Sequence, residues 1–212
     1  MPTTFKAERP PEKDIDVLVW DLETTGFDAP QCKILEIGCF IIQGVAVTKK
    51  HWVLNNKVDI PKHITEITGI DQAIIDAEGQ DPLKCLQEFL PLFKRCKKNV
   101  THNGIGFDIP FLVNTAADIM RFNPSQKVAV TNLLRSTAFD TAVHFKAKKL
   151  NTTQSVDEDY LKFADRVMKV KAFGIKFNLG LCVKECGIVK DLVQHRAMAD
   201  VELTNDVYNK II

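Results

Sequence analysis

The amino-acid sequence predicts an α/β fold with a central mixed β-sheet flanked by α-helices. Three apolar segments rich in β-branched residues come first in the 212-residue chain. After residue 80, segments with helical periodicity alternate with short strand-like segments. Strands first, followed by alternating helices and strands, are typical of a layered fold in which helices cover a sheet. We expect residues 15–212 to form one domain and residues 1–14 to form a flexible N-terminal segment.

The first three strands are predicted at residues 15–20, 33–42 and 49–56, with turns at Gly26 and Gly44. Their order and short connections predict a meander of neighbouring strands. This meander is expected to open the sheet.

The segment at residues 81–96 is predicted to be a helix. Asp81 is a suitable N-cap, and Pro82 is acceptable at the first helical position. Apolar side chains recur at helical spacing, at Leu83, Leu86, Leu90 and Phe93. Because proline lacks an N–H group, Pro91 is expected to kink or interrupt this helix.

Strands and helices then alternate to the end of the chain. Short strands are predicted around residues 99–102 and 133–141, and helices at 107–120, at 178–186 and from about 196 onwards.

Residues 142–176 are predicted to be an insertion or lid. They include six basic side chains that could contact phosphates. A solvated charged face is the simpler interpretation of such a segment. The six are Lys146, Lys148, Lys149, Arg166, Lys169 and Lys171.

Composition excludes several classes of protein. Lys and Arg total 28 against 27 for Asp and Glu, a net charge of +1, so nucleic-acid binding would have to come from local patches. The N-terminus lacks an apolar signal segment, and no apolar run is long enough to cross a bilayer. We therefore expect an intracellular, cytoplasmic protein whose six cysteines are reduced.

The stretch VLVWDLETTG at residues 17–26 ends an apolar strand with two carboxylates, Asp21 and Glu23. Side chains on a strand alternate with a period of two, so both project from the same face. Two adjacent carboxylates repel each other unless a cation or a hydrogen-bond network stabilises them. Oxygen ligands of this kind suit Mg²⁺ or Mn²⁺, although a pair at a solvated strand end is an alternative.

A third carboxylate, Asp108, lies at the predicted start of a helix in THNGIGFDIPFL, residues 101–112. It could simply interact with the helix dipole. His102, beside Asn103 in the same stretch, could line a cleft.

A fourth carboxylate lies in HRAMAD, residues 195–200. Asp200 is on the same helical stripe as Ala197 and Val201, so it is expected to lean towards the core, where a carboxylate needs a cation or donors. His195 is five positions before Asp200, which would place the two side chains about 140° apart on a regular helix. Both reach one centre only if His195 precedes the helix, and a surface histidine is the alternative.

The ordered set VWDLETTG, KILEIG, THNGIGFD and HRAMAD resembles the DnaQ-like, or DEDDh, 3′-to-5′ exonucleases, which share a ribonuclease H-like fold. PKHITEITGI, AFDT and NLGLCVKECGI agree with the same family. The resemblance therefore extends from about residue 15 to 210.

The resemblance implies roles for the five chemically distinctive residues. Asp21, Glu23 and Asp200 would hold one divalent ion, Mg²⁺ or Mn²⁺, and Asp21 would also reach a second ion that Asp108 supports largely through water. His195 matches the general base. Two divalent ions are a known means of hydrolysing a phosphodiester bond, here releasing nucleoside 5′-monophosphates.

The resemblance also implies a nucleotide site. Backbone atoms around Leu22 and Thr24 would hold the terminal 3′-hydroxyl, and Ile67, Asn103 and Phe107 would line the pocket of the last nucleotide. The expected partner is single-stranded or 3′-overhanging DNA or RNA, because nothing in the motifs reads the 2′ position of the sugar.

Two alternatives share the same fold. One is a non-catalytic module that binds nucleic acid or a partner protein, which would be expected to lack some of the carboxylates. The other is a polymerase-associated proofreading subunit, although the chain ends at Ile212 without an obvious polymerase-binding tail.

Overall fold

The computed structural model describes residues 13–190 and 195–212. The predicted N-terminal segment therefore lies largely outside the described residues, although Asp14 accepts a hydrogen bond from Arg95 at 2.9 Å. The elements in chain order are β1 (Ile15–Thr24), β2 (Ile34–Gln43), β3 (Ala46–Val53), α1 (Lys62–Thr68), α2 (Gln72–Glu78), α3 (Pro82–Arg95), β4 (Cys96–Thr101), α4 (Asp108–Ile119), α5 (Pro124–Ser136), β5 (Ala138–Asp140), α6 (Thr141–Lys149), α7 (Tyr160–Lys169), α8 (Leu179–Glu185) and α9 (Ala197–Ile211).

Five strands form one mixed sheet in the order β3-β2-β1-β4-β5. Strands β1, β2 and β3 pair antiparallel, which confirms the predicted meander. Strands β4 and β5 are parallel to β1 and to each other. The C-terminal ends of β1, β4 and β5 therefore lie at the same edge of the sheet, and the loops that follow β1 and β4 meet there.

The two faces of β1 contact different helices. Leu18, Trp20 and Leu22 belong to the larger core cluster, which includes apolar residues of α3 and α4. Val19, with Val17 packed beside it, belongs to a second cluster that includes residues of α9. Strand β1 is thus covered on both sides, and α9 lies on the face opposite α3.

A buried amide connects β1, β4 and α5. Asn99, which is 1% exposed, accepts a hydrogen bond from Trp20 Nε1 at 3.1 Å. Its own amide nitrogen donates to Leu134 O and to Thr137 Oγ1, both at 2.8 Å. Every polar atom of this side chain is paired, as a buried amide requires.

The predicted strand at 133–141 is largely wrong. Residues up to Ser136 belong to α5, and β5 is only three residues long. A capping box explains this helix, because the Asn123 side chain accepts from Gln126 N and the Gln126 side chain accepts from Asn123 N. Pro124 at the first helical position adds to the same signal.

Sequence analysis also missed α1 and α2, although both carry standard end signals. Pro61 precedes α1, and Gly69 ends it with a φ of 71°. Asp71 caps α2 by accepting a hydrogen bond from Ile74 N.

Pro91 does not interrupt α3, which continues to Arg95. The expectation of an interruption was wrong because Pro91 and Gln87, whose carbonyl loses its helical partner, are both exposed. Water can therefore satisfy the unpaired Gln87 carbonyl.

The segment at 142–176 contains most of α6 and all of α7. Val143 of α6 packs with Phe163 and Val167 of α7 in a buried cluster. Whether this segment is an insertion relative to other members of its class remains a prediction.

The six cysteines all lie within the described residues and form no disulfide there. Among the described residues, none of the helices has the length and apolar character that crossing a bilayer would require.

We predict that Asn99→Leu lowers the free energy of unfolding by about 2–4 kcal/mol. The substitution nearly preserves volume but leaves the Trp20 N–H and the Leu134 carbonyl unpaired in the core. Urea unfolding measures this difference. Asn209→Leu, at an exposed position of α9, should change stability by no more than about 0.5 kcal/mol. Equal effects of the two substitutions would contradict this account of the buried amide.

Candidate active site

Strand β1 changes character at its C-terminal end. On the face covered by α9, the side chains are Val17 and Val19, followed by Asp21 and Glu23. As predicted, the two carboxylates share one face. Since that face belongs to a covered sheet, the carboxylates lie between the sheet and the start of α9.

Helix α9 brings a third carboxylate to the same place. Asp200 is 9% exposed, and one of its oxygens lies within 4.8 Å of an oxygen of Asp21 and one of Glu23. Among the described residues, buried Asp200 Oδ1 has no hydrogen-bond partner. A set of three carboxylate oxygens with an unpaired buried member fits a hard divalent cation.

Gly38 explains how α9 comes so close to the sheet. It lies opposite Asp21 in the β1–β2 register. A Cβ atom at this position would lie 2.8 Å from Ala197 C and 2.9 Å from Ala197 O. Only glycine therefore allows the first residue of α9 to rest against β2.

Glu36 holds the start of α9 on the sheet. This carboxylate is fully buried and accepts from Arg196 Nε at 3.0 Å, from the Ala197 backbone N–H at 3.0 Å and from His51 Nε2 at 2.9 Å. Burial alone would raise the pKa of Glu36, but these hydrogen bonds lower it to about 2. Glu36 is thus ionised at neutral pH.

His195 precedes α9, as the spacing analysis required. Its backbone lies in the left-handed region, with a φ of 67°, which is uncommon for a residue with a side chain. The His195 N–H donates to Asp200 Oδ2 at 3.1 Å. The hydrogen bond connects the residue to the carboxylate cluster, while the side chain remains exposed beside it.

Asp108 approaches the cluster from the end of β4. It is the first residue of α4, and its Oδ1 accepts from the Leu22 backbone N–H at 3.2 Å. It therefore contacts the residue between Asp21 and Glu23. The alternative of a purely helix-capping aspartate does not account for this contact with β1.

Asp140 fixes the loop that leads to Asp108. Its fully buried carboxylate accepts from Asn103 N at 2.8 Å, from Ile105 N at 3.1 Å and from Ala142 N at 3.0 Å. The Asp140 backbone N–H in turn donates to Tyr160 Oη at 2.7 Å. Sequence analysis gave Asp140 no role beyond its place in AFDT.

One cavity of about 390 Å³ joins all five residues that the family resemblance singled out. Leu22, Thr24, Ile67 and Phe107, which were predicted to bind nucleotide, line it as well. Asn103 does not line this cavity; it is exposed and lines a neighbouring one. The full lining is Asp21, Leu22, Glu23, Thr24, Gly26, Phe27, Ile64, Ile67, Thr68, His102, Phe107, Asp108, His195 and Asp200.

Two of the lining residues extend the prediction. Phe27, missed by sequence analysis, is 81% exposed and lies 6.2 Å from the Phe107 ring between centroids. A bulky apolar residue immediately after the turn glycine was its only signal. His102 does line a cleft, and burial lowers its pKa to about 4, so it is neutral at pH 7.

Burial is the main cause of raised pKa values in the cluster. It raises the pKa of Asp21, Asp108 and Asp200, and that of Glu23 to about 8. Repulsion from Asp108 and Asp200 raises the pKa of Asp21 further. The cluster therefore favours protons, or a cation in their place, over free negative charge.

We predict that Gly38→Ala costs about 1–3 kcal/mol of stability, because the added methyl group pushes the start of α9 away from β2. Thermal or urea unfolding measures the loss. Gly106→Ala is the matched control, since its Cβ would have no neighbour closer than 3.9 Å. A stability loss no larger than in this control would contradict the close packing of α9.

We predict that the cluster makes stability depend on pH. With chelator present, the unfolded chain loses the Glu23 proton near pH 4.5, whereas the folded protein keeps it until about pH 8. The unfolded state binds fewer protons in this window, so the free energy of unfolding falls as pH rises. Relative to Glu23→Gln, which cannot titrate, wild-type stability should fall by on the order of 2 kcal/mol between these pH values.

Chemical unfolding at several pH values tests this expectation. Glu66→Gln is the control, since the Glu66 side chain is 63% exposed and its substitution should give no comparable trend. A pH-independent difference between wild type and Glu23→Gln would contradict the raised pKa of Glu23.

Comparisons with known proteins agree with this geometry. Residues 18–161 match the RNase_T family model, described as Exonuclease. DNA polymerase III PolC-type of Clostridium perfringens is 29% identical over 173 residues, covering 74% of this chain and 12% of that protein. The PolC-type polymerase of Thermotoga petrophila is 27% identical over 213 residues, and the match covers 91% of this chain and 14% of that protein. The chain thus spans a small part of these curated relatives.

Solved structures share the fold. Escherichia coli Exonuclease I in complex with a dA16 oligonucleotide has a TM-score of 0.69 at 17% identity, covering 92% of this chain and 40% of that one. Product-bound exonuclease I has a TM-score of 0.66 at 17% identity, and the match covers 92% of this chain and 42% of that one. At this identity the likeness shows the ribonuclease H-like fold alone. Because the family model matches more than half of the chain, this protein belongs to the DnaQ-like (DEDDh) family of 3′-to-5′ exonucleases.

Proposed function

We propose that the protein is a divalent-metal-dependent 3′-to-5′ exonuclease that releases nucleoside 5′-monophosphates. The observation that carries this proposal is the convergence of four carboxylates and a histidine, from three separate parts of the chain, in one cavity. Family membership gives independent support.

Asp21, Glu23 and Asp200 would hold one ion of Mg²⁺ or Mn²⁺, and Asp21 with Asp108 would support a second. These residues fit such ions because every donor is a carboxylate oxygen and Asp200 Oδ1 is buried without a partner. The bound ions would supply the charge stabilisation that phosphodiester hydrolysis needs.

The residues around the ions would position the substrate and move the proton. His195 lies at the exposed rim of the cavity, and it would accept the proton of the attacking water. Glu36 and Arg196 fix the backbone on the C-terminal side of His195, which limits where its side chain can reach. Backbone atoms around Leu22 and Thr24 would meet the 3′-hydroxyl.

The walls of the cavity suit a nucleotide at a strand end. Ile67, which is 47% exposed, and Phe107 are apolar surfaces against which a base can pack. Asn103 would reach the nucleotide only from the neighbouring cavity. We propose single-stranded or 3′-overhanging nucleic acid as substrate, in line with the dA16 complex of Exonuclease I. The proposal includes DNA and RNA and an intracellular, cytoplasmic location.

A second candidate is a proofreading module that acts beside a polymerase. The names of the curated relatives, all PolC-type DNA polymerases, favour it. The chemistry at the cavity would be the same. Activity of the purified chain in the absence of a polymerase would distinguish an independent exonuclease from a dependent module.

We predict that the purified protein shortens 5′-labelled single-stranded oligonucleotides stepwise from the 3′ end, with Mg²⁺ or Mn²⁺ present. Excess chelator should abolish the reaction.

His195→Gln should lower kcat by about 10²–10⁴-fold, the usual contribution of a general base. Denaturing gels of DNA and RNA substrates measure both the rate and the direction.

Asp21→Asn should lose activity and keep or raise its melting temperature, because one of several repelling carboxylates becomes neutral. Asp118→Asn, at a carboxylate that is 71% exposed, is the matched control and should retain full activity. Full activity of Asp21→Asn, or of wild type in chelator, would refute the proposal.

A further inference from the structure

A basic, aromatic loop lies beside the active-site cavity, and neither the catalytic proposal nor the fold accounts for its composition. We define the basic loop as residues 170–177, VKAFGIKF, between α7 and α8. From residue 166 to residue 184 the chain contains five Lys or Arg residues and no Asp or Glu. In a protein with a net charge of +1, this is a local concentration of positive charge.

The end of the loop is attached to the cavity. His102, which lines the cavity, has its Nε2 2.9 Å from Phe177 O. Because a carbonyl oxygen can only accept, Nε2–H donates to it. Lys149 Nζ also donates to Lys176 O at 2.6 Å. Residues 176 and 177 are therefore fixed next to the site.

The tip of the loop points away from the protein. Ile175 N donates to Ala172 O at 3.4 Å, and Gly174 adopts a φ of 79°, so the chain turns sharply between them. Phe173 lies in this turn and is 108% exposed. An aromatic side chain that packs against nothing is unfavourable in water unless a ligand covers it.

Not every basic group of this region is available for a ligand. Lys146 is 5% exposed and donates to Met168 O, Lys149 and Arg166 pair with glutamates, and Lys169 pairs with Asp165. These four of the six side chains singled out in the sequence thus have internal partners.

The loop itself contributes free charges. Lys171 and Lys176 are exposed, and no ion pair involves either side chain within residues 13–190 and 195–212. Two free lysines on either side of an exposed phenylalanine match the way proteins hold single strands, with cations at phosphates and aromatic rings on bases.

We propose that the basic loop binds the single-stranded substrate on the 5′ side of the nucleotide being removed. Phe173 stacks on an unpaired base, and Lys171 and Lys176 contact backbone phosphates. This inference rests on the proposed function for the position of the strand, but binding by the loop does not require hydrolysis.

Fluorescence anisotropy of a labelled 12-nucleotide single strand, in chelator to prevent cleavage, tests the binding. Phe173→Ala should weaken affinity about tenfold, and Phe173→Trp should restore it because the larger ring also stacks. Each phosphate contact contributes about 0.7 to the steepness with which log affinity falls with log salt concentration. The double variant Lys171→Ala/Lys176→Ala, which loses two contacts, should therefore reduce this slope by about 1.4. Val45→Ala and Lys84→Ala, at exposed sites outside the loop, are the controls.

Hydrolysis of two substrates provides the second readout. The loop variants should raise KM for the oligonucleotide and leave hydrolysis of the p-nitrophenyl ester of thymidine 5′-monophosphate unchanged, since this ester has no nucleotide on the 5′ side. A variant that had lost its fold would hydrolyse both substrates more slowly. Wild-type affinity, salt slope and KM in the loop variants would overturn the inference while leaving the exonuclease proposal intact. A different outcome is that the wild type hydrolyses neither substrate while the loop variants still bind the single strand more weakly. That result would support the role of the loop and overturn the exonuclease proposal.

Discussion

The attachment of helix α9 to strand β2 determines the geometry of the whole site. Glu36 accepts hydrogen bonds from Arg196 and from the first N–H of the helix, and Gly38 leaves room for the backbone to approach. The Glu36 carboxylate is buried, so moving the helix away would leave a buried charge without its donors, and this contact favours one position of the helix. Asp200 follows within one turn and meets Asp21 there. The cluster therefore depends on a contact that none of its own members makes.

Two glutamates show how the surroundings decide charge. Glu23 and Glu36 are opposite each other in the β1–β2 register, on the same face of the sheet. Donors surround Glu36, whose pKa is about 2, whereas burial without such donors raises the pKa of Glu23 to about 8. The raised pKa of Glu23 reflects an unfavourable environment for its charged form. The opposite face of β1 is packed with apolar side chains, which stabilise the strand. Trp20 there contacts the rings of Phe89 and Phe93 edge-on, at 5.7 and 5.3 Å between centroids.

Period and spacing predicted the first three strands, the last helix and the shared face of Asp21 and Glu23. The convergence of all five polar residues was implied by the family resemblance, since period and spacing left other roles open for Asp108 and His195. Sequence analysis missed α1, α2 and α5, whose caps were readable at Asp71 and in the Asn123 capping box but whose apolar periodicity is weak over few turns. The nucleotide-binding role of Asn103 was predicted from the family motif alone, and the neighbouring sequence does not determine the path of its loop. Asp140 holds that path from 35 residues or more away, a contact that exists only after the chain has folded.

The hydrogen bonds of Asp140 link the active-site cavity to the periphery of the molecule. Its carboxylate is shared between the loop before Asp108 and the first turn of α6, and its backbone N–H is bonded to Tyr160 on α7. Two hydrogen bonds of Asp140 therefore separate α7 from the loop that carries Asp108. The position of Asp108 therefore depends on an outer helix that contributes no side chain to the cavity.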